Sequence, residues 1–313
     1  MDTLTLVLLC VVLGLVVILL CLCIGVGAYF FKYTFGHKDF FYDPKVGEGT
    51  VKLIHEDDWI AAQKWENLSM TSYDKLKLVG LYLPAEKPTH RLIIFFHGYH
   101  SCASHDWSSL MHKFHDHGYN VLGIDERAHG GSQGAYFTMG SKERYDVHGW
   151  VDAMVKRDPE AKIILMGRSM GAHIVMRSME LPFPSNVKGF IEDAGYQNLK
   201  DQLDFTAKDL MHLHGAKFLV RCGLIFGNLF HGAHLFASDT SKSLSQCNLP
   251  GLFLHGESDD FVPCSNLARN YAALKCADKA MYSFPQAFHV SSEWTDPKRF
   301  DQLVFDFADR LTL

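Results

Sequence analysis

The longest hydrophobic run of the chain stands at its start. No charged residue occurs from Thr3 to Phe31, and Leu6–Ala28 is almost entirely Leu, Val, Ile, Cys and Gly. As a helix, such a run crosses a ~30 Å hydrocarbon core. Beyond it the pattern changes to short apolar runs separated by amphipathic stretches. Leu68–Ser72 and Leu76–Leu83 read as two strands around the turn Tyr73-Asp74-Lys75. Leu92–Phe96, Val121–Ile124, Lys162–Met166, Gly189–Glu192, Leu252–Leu254 and Ala280–Ser283 predict six more strands. Helices are predicted near Asp57–Trp65, Trp107–His117, Lys142–Lys156, Gly171–Met179, Ser265–Leu274 and Pro297–Leu311. This alternation calls for a parallel sheet covered on both faces, with ligands at the carboxyl ends of its strands. One segment breaks the rhythm. Between Glu192 and Leu252 no clear strand appears, and the chain is rich in Phe, Leu and His. Ordinary crossover helices are one reading; a helical insertion over the strand ends, a lid, is the other and the one its length favours.

The pattern divides the chain into a transmembrane anchor over residues 1–31, a juxtamembrane linker over 32–50, and an α/β domain over 51–313 with the insertion at about 196–248. A cleaved signal peptide is the rival for the first segment, and Val26-Gly27-Ala28 resembles a cleavage site. Such a peptide calls for Lys or Arg ahead of the apolar run, yet only Met1 and Asp2 precede Thr3. The expectation is therefore a single-pass membrane protein whose partner is the lipid bilayer. Lys32 and Lys38 follow the run, a thin vote for a cytoplasmic body under the positive-inside rule, and Tyr29, Phe30, Phe31, Tyr33 and Phe35 suit the membrane interface. The side of the membrane stays open. A net charge of −5 provides no basic surface for nucleic acid. Of eight cysteines, Cys10, Cys21 and Cys23 lie in the anchor and the remaining five show no C-x-x-C spacing, so free thiols are expected.

Chemistry concentrates where strands end. Ile163–Met166 runs into Gly167-Arg168-Ser169-Met170-Gly171 and then into an apolar helical start, which is the strand–turn–helix context of a G-x-S-x-G nucleophile. Ile93–Phe96 leads to His97-Gly98-Tyr99, and the amides of Tyr99 and Met170 form a candidate oxyanion pair. Leu252–Leu254 opens an acidic loop, His255-Gly256-Glu257-Ser258-Asp259-Asp260, and His289 is the one histidine beyond it. An imidazole takes the proton of an otherwise weak serine nucleophile, and a carboxylate fixes its tautomer. His112, His115 and His117, with His100 and His105 upstream, invite a metal site, but no acid or thiol completes a ligand set, so a solvated helix face is expected and no metal. Arg168 either meets an acidic substrate group or pairs with a carboxylate. His231 and His234 are expected in the lid or pocket wall. Cys102 has no visible activating partner.

The stretches FFHGY, GIDERAHGGSQG, MGRSMGA and LFLHGESDDFVP, closed by His289, resemble in that order the α/β-hydrolase superfamily, and within it the serine-aminopeptidase-like bacterial hydrolases that carry an N-terminal anchor. The resemblance runs from about Leu76 to the C-terminus. It implies a mostly parallel eight-stranded sheet flanked by helices, a triad of Ser169, His289 and Asp259, and no cofactor. The family's H-G-x-x-D-x-x-V-P pattern aligns its acid with Asp259, while a slip of one residue selects Asp260. The Asp125–Gly130 stretch matches a loop that is usually structural. The expected activity is hydrolysis of a carboxylic ester with an apolar acyl or alcohol part, through an acyl-enzyme. A peptide or amide substrate is the alternative, and a non-catalytic binding protein of the same fold is the second one.

Overall fold

A computed structural model describes residues 2–36 and 57–313. The long N-terminal helix α1 (Thr3–Phe35) starts at Asp2, whose carboxylate accepts the Thr5 amide at 2.7 Å. After the short α2 (Asp57–Ala62) come β1 (Glu66–Thr71), β2 (Lys77–Leu83), β3 (Arg91–Phe96), α3 (Ala103–Asp106), α4 (Ser108–Asp116), β4 (Asn120–Ile124), α5 (Glu143–Arg157), β5 (Lys162–Arg168), α6 (Met170–Ser178) and β6 (Val187–Asp193). The break in the rhythm is helical. It holds α7 (Leu199–Phe205) running into a π turn (Thr206–Leu210), then α8 (Ala216–His231), a 3-10 turn (Leu235–Ala237) and α9 (Thr240–Leu244). The chain closes with β7 (Gly251–Gly256), α10 (Ser265–Ala273), β8 (Lys279–Phe284), α11 (Ser292–Thr295) and α12 (Pro297–Thr312).

The strands form one sheet in the order β1-β2-β4-β3-β5-β6-β7-β8. β2 pairs antiparallel with β1 and β4, and every pairing from β4 to β8 is parallel. Each strand lies within a couple of residues of its expected place. β3, β5, β6 and β7 are buried on both faces, which is why they read as unbroken apolar runs. One face is packed by α4 and α12 through Trp107, Phe114, Phe300 and Val304, the other by α5 and α6 through Trp150, Val151 and Ile174. The Asp125–Gly130 loop holds structure. Arg127 reaches Asp146 of α5 at 2.7 Å and Asp74 of the β1–β2 turn at 2.8 Å.

The N-terminal segment departs from its expected boundary. α1 continues past residue 31 to Phe35, so Lys32–Gly36 is not linker; the rest of the expected linker, 37–50, lies outside the described residues. Phe31 and Phe35 are buried against the body, and the Phe35 carbonyl accepts the Phe137 amide at 3.0 Å. Phe31 stacks on His231 with ring centroids 4.6 Å apart. Along α8, Gly223 and Gly227 leave room for Phe30 and Phe31, since a Cβ on either would fall within 2.7 Å of those rings. Gly27 in turn faces the Cys222 carbonyl, which a Cβ would meet at 2.6 Å. Small residues that let helices approach are the packing device of membrane helices. They join α1 to α8.

Candidate active site

The sharp turn at Ser169 follows from its neighbours. A Cβ on Gly167 would meet the Gly171 carbonyl oxygen at 2.4 Å, and one on Gly171 would meet the Phe96 carbonyl at 2.0 Å. Only glycine fits at both positions. Ser169 is held at φ 54° and ψ −113°, a strained conformation for a residue with a Cβ. Its amide donates to the Asp193 carbonyl at 2.8 Å, and its carbonyl accepts from His173 one turn into α6. The hydroxyl is thereby lifted clear of the β5 end.

His289 stands between two partners. Its Nε2 lies 2.8 Å from Ser169 Oγ and its Nδ1 2.7 Å from Asp259 Oδ2. An ionised carboxylate only accepts, so Nδ1 carries the hydrogen and Nε2 is left to accept from the serine. Asp259 is buried, which opposes its charge. Hydrogen bonds from His255 and His289, the His289 charge and the Val262 amide outweigh that burial and hold the carboxyl well below the usual range. Its Oδ1 accepts the amides of Phe261 and Val262 at 2.9 and 2.8 Å. Asp260, the one-residue slip, is exposed and outside this arrangement. The acid has a second histidine that the sequence reading did not assign. His255 Nε2 lies 3.1 Å from Asp259 Oδ2 and 2.9 Å from the Val262 carbonyl. Its signal was available, four residues before the acid at the end of β7.

Tyr99 and Met170 both border the same cavity as Ser169. Met170 is the first residue of α6, so its amide is among the donors that a helix start leaves without an intrahelical acceptor. The loop carrying Tyr99 is pinned at both ends. The Gly98 amide donates to Asp106 Oδ2 at 2.5 Å, and the Tyr99 hydroxyl donates to the Thr34 carbonyl of α1 at 2.9 Å. Neither Asp106 nor Thr34 figured in the sequence reading; an acid in a four-residue helix and a threonine in an apolar run carry no pattern.

The remaining candidates lie elsewhere or serve structure. Arg168 is 2% exposed and faces no substrate space. It contacts Asp193, Glu293 and the Asp106 carbonyl, which decides between its two expected roles in favour of pairing. His112 stacks on Trp59 and lies 3.3 Å from Asp116, His115 Nε2 faces the Pro84 carbonyl, and His117 turns away to meet Asp309 at 2.8 Å. Burial pushes the Cys102 thiol up, and all eight cysteines are free. His173 joins α6 to the lid, with Nδ1 2.8 Å from the Tyr196 carbonyl and Nε2 2.9 Å from Ser238 Oγ. Burial drives its pKa down from 6.5 to about 3. Below pH 6.5 the unfolded chain therefore takes up a proton that the folded chain refuses, and stability falls with pH. Between pH 7 and 5 this costs about 2 kcal/mol. Denaturant midpoints in detergent at the two pH values should show that loss in the wild type, and a correspondingly smaller one in His173→Gln.

Above Ser169 opens a cavity of about 1070 Å³. Its walls include Tyr99, Met139, Tyr196 and Phe261, and, from the helical insertion, Leu203, Ala207 and Leu210.

Strand order and the turn at Ser169 are those of the α/β-hydrolase fold. Hydrolase is the enzyme class that the matching family model and the structural neighbours point to. A sequence model of the family described as serine aminopeptidase, S33, matches residues 87–219. The uncharacterised protein YqkD of Bacillus subtilis (strain 168) is 25% identical over 284 residues, which span 88% of this chain and 92% of that one. The Pyrococcus furiosus esterase Pf2001 superposes with a TM-score of 0.67 at 22% identity, over 89% of this chain and all of its own. GrgF, an α/β hydrolase from Penicillium sp. sh18, gives 0.64 at 15% identity, over 80% and 99%.

Proposed function

We propose that this protein is a membrane-anchored serine hydrolase that cleaves carboxylic esters with an apolar acyl or alcohol part. The observation that carries this reading is the position of His289, within hydrogen-bond reach of Ser169 Oγ and Asp259 Oδ2 at once. Ser169 Oγ attacks the acyl carbon while His289 takes its proton, and the amides of Tyr99 and Met170 receive the charge developing on the carbonyl oxygen. His289 returns the proton to the departing alcohol. Water, activated by the same imidazole, then releases the acid from the serine. Asp259 orients His289 and stabilises its protonated form.

An ester is favoured over a peptide because the cavity that Ser169 borders is mainly apolar, with Met139, Leu203, Ala207 and Phe261 in its walls. A peptide substrate brings amides that need partners, and burying them without partners is costly. The membrane reading rests on α1, whose side chains from Leu4 to Ile24 are largely exposed and apolar. Its last turns are packed into the body through Phe31 and Phe35, as an anchor that stays attached requires. A fluorophosphonate probe tests the central claim. The intact protein should become labelled at Ser169, and should hydrolyse p-nitrophenyl esters faster than aminoacyl p-nitroanilides. An intact protein that never labels has no activated serine, and the reverse substrate preference assigns it to the peptidases.

A further inference from the structure

The cavity above Ser169 does not end at the lid. Its outer wall is α1 itself, contributed by Leu22, Gly25, Val26 and Phe30, while Ser169 and Met170 lie at its inner end. From Thr3 to Leu22 the helix rises ~29 Å at 1.5 Å per residue, which is the ~30 Å of a hydrocarbon core. Asp2 stands just ahead of that stretch, and Lys32, the next charged residue, lies ~15 Å beyond its end. The outer end of the cavity therefore lies where hydrocarbon meets headgroups, with Tyr29 and Tyr33 on the same wall at the level where such rings collect. The neighbouring helix continues this surface. α8, packed on α1 through Gly223 and Gly227, exposes Phe218, Ile225, Leu229 and Phe230. Water does not favour such a surface, and a bilayer covers it. Among the described residues, no Asp, Glu, Lys or Arg lines the cavity. Its mainly apolar lining suits an uncharged, largely hydrocarbon ligand.

We propose that substrate reaches Ser169 sideways from the bilayer, through the groove between α1 and the lid. The substrate is an ester of a long-chain fatty acid that partitions into the membrane, its acyl chain lying along Leu22–Phe30 and its carbonyl at Ser169. This deepens the hydrolase reading and rests on it. Ser169 Oγ forms the bond to the acyl carbon as the alcohol leaves with a proton from His289, and water then frees the fatty acid. The anchor is thus part of the binding site. It holds the body at the membrane and forms the wall along which the chain slides. The hydroxyl of Tyr99 on the Thr34 carbonyl couples that wall to the loop beside the serine.

Gly25 provides the test, because a Cβ there meets nothing within 4 Å and a larger side chain grows into the groove. Gly14 is equally open but lies on the lipid side, away from the cavity. Full-length protein is reconstituted in vesicles of an ether-linked phosphatidylcholine, which provides no ester of its own. Rates are measured on monooleoylglycerol held in the bilayer and on p-nitrophenyl acetate in water. Gly25→Trp should lower the ratio of the long-chain to the short-chain rate at least ~10-fold, the equivalent of about two methylenes losing their burial. Gly14→Trp should leave the ratio at its wild-type value. Should Gly25→Trp not accumulate, Leu210→Trp narrows the groove from the lid and carries the same expectation. An unchanged ratio in the groove variant overturns lateral access, as does a wild type that cleaves the acetate but not the bilayer-held ester. A wild type that cleaves neither, and resists the fluorophosphonate, fails earlier, at the serine.

Discussion

Replacing Ser169 with alanine should lower kcat/KM for a p-nitrophenyl ester at least ~10³-fold, with the thermal midpoint little changed. Among the described residues the hydroxyl makes one side-chain hydrogen bond, to His289 Nε2 at 2.8 Å, so little packing is lost with it. The strained backbone at φ 54° remains whatever residue stands there. The acid is resolved by a pair of variants. Asp259→Asn removes the charge facing the imidazole and lets the amide impose the wrong tautomer, which costs ~10⁴-fold in kcat in the serine proteases where it has been measured. Asp260→Asn should stay near wild type, since that side chain is exposed and takes no part in the His289 contact. Steady-state kinetics on the three purified variants checks the set. If Asp260→Asn fell and Asp259→Asn did not, the acid would be the neighbour. If Ser169→Ala kept wild-type turnover, the serine would have no role as nucleophile.

The sheet was legible because its central strands are buried on both faces, and such strands can hardly be written in anything but apolar residues. β5 shows this most clearly, since IILM leads directly into the glycine that the turn requires. His289 was legible for a different reason, being the last histidine of the chain and standing past the final strand. What surrounds these residues was not. The helices of the insertion were expected only as a block; α7 and α8 turn apolar side chains toward a cavity and an open surface as well as a core. α1 was legible as a long apolar helix but not as a wall of the cavity. A run that is apolar all round has no face to read, and nothing in it sets Leu22 and Gly25 apart from Leu8 and Gly14. Asp106 escaped for want of periodicity. It lies in a four-residue helix, where its carboxylate accepts the Gly98 amide and the Ser101 hydroxyl.

Arg168 illustrates how a residue inside a catalytic motif can matter without touching the chemistry. It extends from the end of β5, the residue before Ser169, into a buried pocket where its guanidinium meets carboxylates from two other elements. Nε faces Asp193 at the end of β6 at 3.2 Å, and Nη2 faces Glu293 of α11 at 3.1 Å. Nη1 donates to the Asp106 carbonyl at 2.7 Å, and the group lies over the Trp107 ring at 4.5 Å. Burial works against its charge, yet the charges of Asp193, Glu293 and Asp106 more than offset this and raise its pKa. Glu293 follows His289 by four residues, so this network also fixes the loop that presents His289. Arg168→Met keeps much of the volume and removes the charge. Glu293 retains Ser109 and Lys113, at 2.6 and 3.0 Å. Asp193 retains no cation, and one of its oxygens already lacks a partner. Breaking a buried pair from one side costs roughly 3–5 kcal/mol, so the thermal midpoint in detergent should fall on the order of 10 °C. Asp193→Asn added to Arg168→Met removes the stranded carboxylate and should restore part of that loss, which a simple packing defect at residue 168 would not allow. Arg168→Lys keeps a charge but not the fork that reaches both acids, and should fall between wild type and Arg168→Met. A midpoint unmoved by Arg168→Met would mean that the two carboxyl-bearing elements hold together without the cation between them, and that the residue before the serine is free to vary.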